Sequence, residues 1–254
     1  MNAQIVSDLH IEYDQNKKID WKDYIEVKSN ILILAGDIGS LYREEQLTYF
    51  LKEVSKQYKI VFYIPGNHEY YIRYEHTPVH MDELKQRLQN ISNQIDNLYV
   101  LDNDSYLLHN KYCIIGSTLW SYIHNTHKYP YYRVKIYKWN KYYYNKHFEN
   151  SLLYIKNVLE KCKRNNWTPI IATHYTPSFQ CIGERHANDY FQYLYATHLE
   201  DFIYQYQPMI WICGHTHSNF DFYIHNTRLV SNQKGKEKEK VKKFFKDKVI
   251  KIKY

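Results

Sequence analysis

The chain has 254 residues, of which 44% are hydrophobic, and this length suits one large domain with a substantial core. Its net charge of +7 is confined to residues 234–254, which contain ten lysines against three acidic residues. The rest of the chain is neutral overall, so the charge excludes a basic surface over the whole protein. No stretch of about 18 apolar residues and no signal-peptide pattern is present. We therefore predict a soluble, cytoplasmic protein that does not enter a membrane.

Short apolar runs predict nine strands along the chain. They lie at residues 4–6, 31–34, 60–64, 112–115, 170–172, 209–213, 220–224, 227–230 and 249–253. Apolar residues at helical spacing predict four helices, at residues 47–54, 84–95, 148–159 and 199–206. Strands and helices alternate at first and hairpins follow, which predicts a mixed α/β sheet structure covered by helices.

Two segments depart from this regular pattern. Residues 117–146 are dense in Tyr, Lys, Asn and His without clean periodicity, and we interpret them as an insert near the functional site. Residues 234–247 form a charged stretch before the last strand, which is typical of a solvated loop. Because no repeat or long linker divides the chain, we predict a single domain over residues 1–254. The four cysteines include no CxxC pair, which predicts reduced, structural thiols.

Five of the predicted strands are followed at once by polar residues that can bind metal ions. In chain order these are Asp8-Leu9-His10, Gly36-Asp37, Gly66-Asn67-His68-Glu69, His174, and Gly214-His215-Thr216-His217. Ligand sites in open α/β sheets lie at the carboxyl ends of strands, so five such ends can converge on one point. Carboxylate, imidazole and amide oxygen suit transition-metal ions of borderline hardness. Each motif alone is weakly specific, but together they predict one metal site.

This ordered set of motifs resembles the calcineurin-like metallophosphoesterases. The resemblance covers residues 5 to about 217 and extends more loosely into the final strands. It implies a four-layer αββα sandwich, in which two mixed sheets pack face to face with helices outside. Residues 116–121 and 211–217 are similar to a subgroup of small, single-domain members whose substrate is generally unassigned.

The resemblance also implies a role for each motif residue. Asp8, His10 and His217 would hold one ion, Asn67, His174 and His215 would hold the other, and Asp37 would bridge both. His68 would bind no metal, but would contact the phosphoryl group or protonate the leaving oxygen, a duty that suits an imidazole with a pKa near ~6.5. Two divalent ions would lower the pKa of a bridging water and clamp the phosphoryl oxygens. Mn2+ is our first expectation, and Fe, Zn2+ and Ni2+ accept the same ligands.

The chain departs from one branch of the family. Phosphoprotein phosphatases carry an Asp-Arg-Gly motif shortly after Gly-Asp, whereas this chain continues Ile38-Gly39-Ser40-Leu41-Tyr42. The acid that would orient the catalytic histidine and the arginine that would grip phosphate are both missing, which argues against a Ser/Thr protein phosphatase. The residues that would contact substrate stay unassigned. Candidates without a firm role are Arg73, Tyr122, His124, the tyrosines after Pro130, His186, Asn188 and Asp189.

Our leading functional prediction is hydrolysis of a small phosphomonoester or phosphodiester, with nucleotides among the candidate substrates. A nuclease acting on RNA or DNA is the first alternative, and it would need a basic, aromatic-lined groove. The neutral body disfavours nucleic acid as a partner, while six basic residues near the insert keep it open: Lys111, Lys128, Arg133, Lys135, Lys138 and Lys141. The second alternative is a non-catalytic scaffold, as in a retromer subunit of similar fold. Retention of His68 and every ligand position disfavours that alternative.

Overall fold

Residues 1–252 are described by a computed structural model, in which eleven strands form two mixed sheets. The first sheet has the order β11-β1-β2-β3-β4 and consists of β1 (Asn2–Val6), β2 (Ile31–Ala35), β3 (Ile60–Ile64), β4 (Leu98–Val100) and β11 (Val249–Lys251). The second has the order β5-β6-β7-β8-β10-β9 and consists of β5 (Asp104–Leu108), β6 (Tyr112–Ser117), β7 (Thr168–Thr173), β8 (Ile210–Cys213), β9 (Asp221–Ile224) and β10 (Thr227–Ser231). The pairs β1–β11, β5–β6 and β9–β10 are antiparallel, and the others are parallel.

In the described part of the chain, four α-helices flank the two sheets. They are α1 (Glu44–Ser55), α2 (Met81–Ser92), α3 (Lys141–Asn165) and α4 (Glu200–Tyr206). The helices α1, α2 and α3 each bury an apolar stripe at helical spacing, as shown by Leu84, Leu88 and Ile91 on α2, whereas the short α4 buries Ile203. The predicted architecture of two mixed sheets flanked by helices is therefore confirmed. No helix within residues 1–252 is apolar over enough of its length to cross a bilayer.

Alternating side chains of the central strands build two separate layers of core. On β2, Ile33 packs between the two sheets, whereas Leu32 and Leu34 belong to the larger apolar cluster on the helix side. Ile170 and Ile212 contribute to the inner layer from the second sheet. Full burial of each such side chain stabilises the fold by roughly 1.5–3 kcal/mol. The inner layer holds the sheets face to face and thereby fixes where their strand ends lie.

Three details differ from the sequence prediction. The strands β4 and β5 were not predicted, because β4 has only three residues and β5 begins with the polar pair Asp104-Ser105. The last strand ends at Lys251, and Lys253 of its predicted range lies outside the described residues. The predicted insert ends earlier than expected, because α3 already begins at Lys141. The side chain of Asn140 caps α3 by accepting a hydrogen bond from the Tyr143 N–H at 3.1 Å.

Candidate metal centre

The first sheet delivers three predicted ligands from the ends of neighbouring parallel strands. Asp8 follows β1, Asp37 follows β2 and Asn67 follows β3, each within three residues of the strand end. Backbone hydrogen bonds tie the first two turns together, from Asp8 N to Gly36 O at 2.9 Å and from His10 N to Asp37 O at 3.0 Å. The parallel register of these strands therefore places the three side chains, together with His10, along one edge of the sheet.

The second sheet supplies the remaining ligands from its own strand ends. His174 directly follows β7, and His215 and His217 follow β8. The buried Asp8 carboxylate accepts a hydrogen bond from the backbone N–H of His215 at 3.0 Å, which joins the two sheets at this edge. All seven residues predicted as ligands thus meet at one place, although they come from five separated segments of the chain.

Five of these seven residues have a left-handed backbone. The φ angles are 55° at Asp8, 52° at His10, 52° at Asp37, 74° at His215 and 50° at His217. A non-glycine residue in this region is destabilised by on the order of 1–3 kcal/mol unless the surrounding structure holds it there. Such residues cluster at functional sites, and the grouping of five of them at this edge supports its role as a site.

Gly66 leaves room for the central carboxylate. A Cβ atom at this position would lie 2.3 Å from Asp37 Oδ1, 2.6 Å from Asp37 N and 2.9 Å from His174 Cδ2. Any larger residue would therefore push Asp37 out of the site, and only glycine permits this close approach.

The ligand atoms form two groups on either side of Asp37. In the first group, His217 Nε2 lies 3.3 Å from Asp8 Oδ1 and 3.0 Å from His10 Nε2. In the second, His174 Nε2 lies 3.0 Å from Asn67 Oδ1 and 3.2 Å from His215 Nδ1. The two oxygens of Asp37 divide between them, with Oδ2 3.8 Å from His10 Nε2 and Oδ1 3.3 Å from His174 Nε2. This is the position that a bridging carboxylate requires.

Each of the four imidazoles in these groups also has an acceptor for its outward-facing nitrogen. The pairs are His10 Nδ1 with the Glu12 carboxylate at 3.1 Å, His174 Nδ1 with Ala35 O at 2.9 Å, His215 Nε2 with Leu194 O at 2.9 Å, and His217 Nδ1 with the Glu239 carboxylate. A carbonyl or an ionised carboxylate only accepts, so every outward nitrogen carries a proton and donates it. Such partners fix the ring orientation and tautomer of metal-binding histidines.

This arrangement leaves lone pairs pointing at each other. In their neutral forms His10 Nε2 and His217 Nε2 both present lone pairs across 3.0 Å, as do His174 Nε2 and His215 Nδ1 across 3.2 Å. Two acceptors at such distances repel unless a proton or a cation lies between or beside them. Buried carboxylates next to each pair add negative charge that a cation would neutralise. The donor set therefore fits two metal ions.

His68 lies beside these groups and belongs to neither. Its backbone N–H donates to Asp37 Oδ1 at 2.8 Å, and its ring Nδ1 lies 3.2 Å from Glu12 Oε1. Burial lowers the pKa of the His68 imidazole, while the charges of Asp37 and Glu12 act in the opposite direction. With Nδ1 bound to a carboxylate, the Nε2 edge is left to face the pocket, which His68 lines.

Glu12 is a site residue that the sequence prediction missed. Its side chain is fully buried, and its Oε1 atom accepts from both His10 and His68. Burial opposes ionisation of this carboxyl, but the charges and hydrogen bonds of the two histidines outweigh burial and lower its pKa to about 2. Glu12 thus contacts the His68 ring, as the aspartate of the absent Asp-Arg-Gly motif would be expected to do. The one available signal was its position two residues after Asp-x-His.

Glu69 ties the turns after β2 and β3 together. Its carboxylate accepts hydrogen bonds from four donors: Asp37 N at 3.0 Å, Ile38 N at 2.8 Å, Gly66 N at 2.8 Å and Tyr63 Oη at 2.6 Å. Burial and the nearby Asp37 carboxylate raise the pKa of Glu69 to about 8, whereas the hydrogen bonds favour its ionised form. The last residue of the Gly-Asn-His-Glu motif is therefore structural, since it binds the backbone N–H groups of Asp37 and of Gly66, which precedes Asn67.

A pocket of about 390 Å3 opens above the two groups. Its floor includes Asp37, Asn67 and His68, and its walls are rich in tyrosine and basic residues. The wall residues are Tyr71, Tyr132, Arg133, Val134, Tyr175, Arg185, His186, Leu194, Tyr195, Lys236 and Glu239. Of the candidates without a firm role, Tyr132 and His186 line this pocket. Tyr122, His124, Asn188 and Asp189 instead line a neighbouring cavity of about 1090 Å3, and Arg73 packs over the Tyr13 ring beside Glu75.

Metal binding is expected to release protons. Burial lowers the pKa of an imidazole, but nearby carboxylates outweigh burial at two of the rings. Asp37 and Asp8 raise the pKa of His174 to about 9. Asp8 and Glu239 raise the pKa of His217 to about 9. Both rings are therefore protonated at pH 7 in the metal-free protein, and an ion must displace these protons. The apparent affinity for Mn2+ should increase as the pH rises towards about 9.

Calorimetric titration with Mn2+ at one pH, in two buffers of different ionisation enthalpy, measures this release. Heats that differ between the buffers confirm it. Equal heats would show that both imidazoles are already neutral before the ion binds.

Comparison with known proteins gives one family and several relatives. A model of the calcineurin-like phosphoesterase family matches residues 1–219. The uncharacterised protein L509 of Acanthamoeba polyphaga mimivirus is 31% identical over an alignment of 265 positions, which covers 92% of this chain and 91% of that protein. Phosphopantetheinyl hydrolase from Mycobacterium tuberculosis is similar in structure, with a TM-score of 0.70 at 14% identity over 94% of this chain and 90% of that chain. A protein of Thermus thermophilus is similar in structure with a TM-score of 0.56 at 10% identity, over 91% of this chain and 88% of that chain. At these identities the two structures are similar to this chain in fold.

Proposed function

Because this chain belongs to the calcineurin-like phosphoesterase family and is thus a metal-dependent hydrolase of phosphoric esters, we propose that it cleaves a small phosphomonoester or phosphodiester with a dinuclear metal centre. The observation that carries this proposal is the convergence of imidazole lone pairs in two groups on either side of Asp37. A single-ion site would need one such group. Nucleotides are among the candidate substrates, since the pocket of about 390 Å3 admits a molecule of that size.

We assign the residues to the two ions by the groups in which they lie. Asp8, His10 and His217 would hold one ion, and Asn67, His174 and His215 would hold the other. Asp37 would bridge both. When bound, the ions would lower the pKa of a water molecule and neutralise charge on the phosphoryl oxygens. Mn2+ is the first ion to test, and Fe, Zn2+ and Ni2+ suit the same donors.

His68 would serve as the general acid. Its Nδ1–H donates to Glu12, so the ring is held with Nε2 facing the pocket, where it can donate a proton to the leaving oxygen. The Glu12 carboxylate favours the protonated ring that this step requires and so opposes burial, which lowers the pKa of His68. Glu12 itself has no proton to donate near neutral pH, because its low pKa keeps the carboxyl group ionised.

A small substrate is favoured over nucleic acid by the position of the basic residues. Six basic residues near the insert left a nuclease as an alternative in the sequence analysis. Of these six, only Arg133 lines the pocket. Lys141, for example, bonds instead to the carbonyl oxygens of His124 and His127. We also propose a reducing, cytoplasmic location, which the four free and buried cysteines support.

The function is tested by comparing bis-p-nitrophenyl phosphate with p-nitrophenyl phosphate. We expect hydrolysis of at least one of them with Mn2+, its loss after treatment with a chelator, and its recovery when Mn2+ is restored. The ester that is cleaved faster separates a phosphodiesterase from a phosphomonoesterase. Hydrolysis of neither across Mn2+, Fe, Zn2+ and Ni2+ would favour the scaffold. Steep salt dependence of substrate affinity would instead favour the nuclease.

A further inference from the structure

The charged loop, residues 234–247, contributes side chains to the pocket, although its sequence is typical of a solvated loop. Lys236 and Glu239 line the pocket together with the metal-group residue His217. Both are partly buried, whereas Glu237 and Lys238 between them are exposed. The interpretation as a plain solvated loop therefore fails for these two side chains.

The carboxylate of Glu239 fixes the position of Lys236. It accepts from the Lys236 backbone N–H at 2.9 Å, and the Glu239 N–H donates back to Lys236 O at 2.9 Å. The same carboxylate binds His217 Nδ1 and the Arg185 guanidinium, the latter at 2.8 Å. Gly235 has a φ of +68°, and a Cβ atom there would lie 2.4 Å from Val241 Cγ2, so the loop depends on glycine at this bend.

Lys236 is the basic pocket residue that is left without an acidic partner. Arg133 pairs with Asp189 at 3.2 Å, and Arg185 pairs with Glu239. Within residues 1–252 no carboxylate oxygen lies within 4.0 Å of Lys236 Nζ. Its ammonium group lies 5.3 Å from the centroid of the Tyr13 ring, which holds the side chain without neutralising it.

The Lys236 side chain lies outside both groups of ligand atoms and packs over Tyr13. The reacting phosphoryl group must meet the ligand groups, where the buried Asp37 and Asn67 and the partly buried His68 line the pocket. Lys236 instead belongs to the wall, with Arg133 and Arg185, and these three cations come from three distant segments of the chain. Resting on the proposed function, we infer that Lys236 binds a second anionic group of the substrate. The substrate class is then a phosphoester that carries a further phosphate or carboxylate.

Two matched non-hydrolysable ligands test this inference: phenylphosphonate, and 4-carboxyphenylphosphonate, which adds one carboxylate. Calorimetry on the Mn2+-loaded protein should show about tenfold tighter binding of the carboxylated ligand, as a charge-assisted hydrogen bond provides. Lys236→Met should abolish this preference and leave phenylphosphonate binding unchanged. Lys238→Met is the matched control, since Lys238 is exposed in the same turn, and it should keep the preference.

The inference is overturned if the wild-type protein shows no preference, if it binds neither ligand, or if both variants behave alike. Equal weakening of both ligands by Lys236→Met also overturns it, because Lys236 would then bind the reacting phosphoryl group. Failure of the proposed function is a separate result: it is the absence of p-nitrophenyl ester hydrolysis by the wild-type protein. Phosphonate binding is measured without turnover, so the two failures are distinguishable.

Discussion

Replacing His68 with asparagine will lower kcat for an alkyl phosphate by about 10²–10⁴-fold, the usual contribution of a general acid, while the metal content stays at the wild-type value. Metal should be retained because the bond to Asp37 Oδ1 comes from the backbone N–H at position 68, which every substitution except proline keeps. His68 also lies outside the two groups beside Asp37. Its ring lies with His10 and Glu12, where the Glu12 carboxylate binds its Nδ1 atom. The prediction therefore separates proton transfer from metal binding.

The identity of the leaving group provides the control. A p-nitrophenolate ion departs without being protonated, so the same variant should lose far less activity on p-nitrophenyl phosphate than on an alkyl phosphate. Metal analysis of the purified variant completes the measurement. If metal content falls together with activity, or if both substrates lose activity equally, His68 does not act as the acid.

Replacing Glu12 with glutamine will impair metal binding and proton transfer together. The substitution keeps the shape of the side chain but removes the charge that both His10 Nδ1 and His68 Nδ1 contact. Loss of such an orienting carboxylate typically costs about 10–100-fold in metal affinity or activity. We expect a loss of that size in Mn2+ affinity and a further loss of kcat on an alkyl phosphate at saturating Mn2+.

Glu239→Gln is the matched comparison. Glu239 contacts His217 but not His68, so this variant should lose metal affinity and recover most of its kcat when Mn2+ is saturating. Calorimetry and steady-state kinetics on both variants supply the measurements. Full recovery of Glu12→Gln at saturating Mn2+ would falsify the second role of Glu12, leaving only its contact with His10.

Much of the fold was predictable because its central strands are nearly continuous apolar runs. The inner strand β3 was predicted at residues 60–64, and Ile60–Ile64 is its observed range. Burial on both faces gives such a strand an unbroken apolar sequence. The strands β4 and β5 carry no such signal, because side chains such as Asp104 and Ser105 remain partly exposed. Their pairing is decided by neighbours in space rather than by their own composition.

The converging residues of the candidate site were predictable for a similar reason, since they directly follow strands whose ends share one edge. Their supporting partners were not. Glu239 meets His217 from a segment 22 positions later, and the Leu194 carbonyl reaches His215 across 21 positions. Nothing in the local sequence distinguishes Glu239 from Glu237, which is exposed on the same turn. Such contacts depend on how a loop folds back onto the site. The composition of residues 234–247 alone predicted a solvent-exposed loop.

The pairing of β1 has a consequence for the order of events during synthesis. Asn2 in β1 pairs with Lys251 in β11, and Asp8 at the end of β1 accepts from His215. The residues of β1 and Asp8 therefore leave the ribosome long before β11 and His215, with which they pair. A half-made chain presents Asp8, His10, Asp37 and Asn67 without the second sheet, and no complete group exists for an ion to enter. The two groups of ligand atoms are thus completed late in folding. Metal ions that bind there would stabilise two sheets that have already assembled.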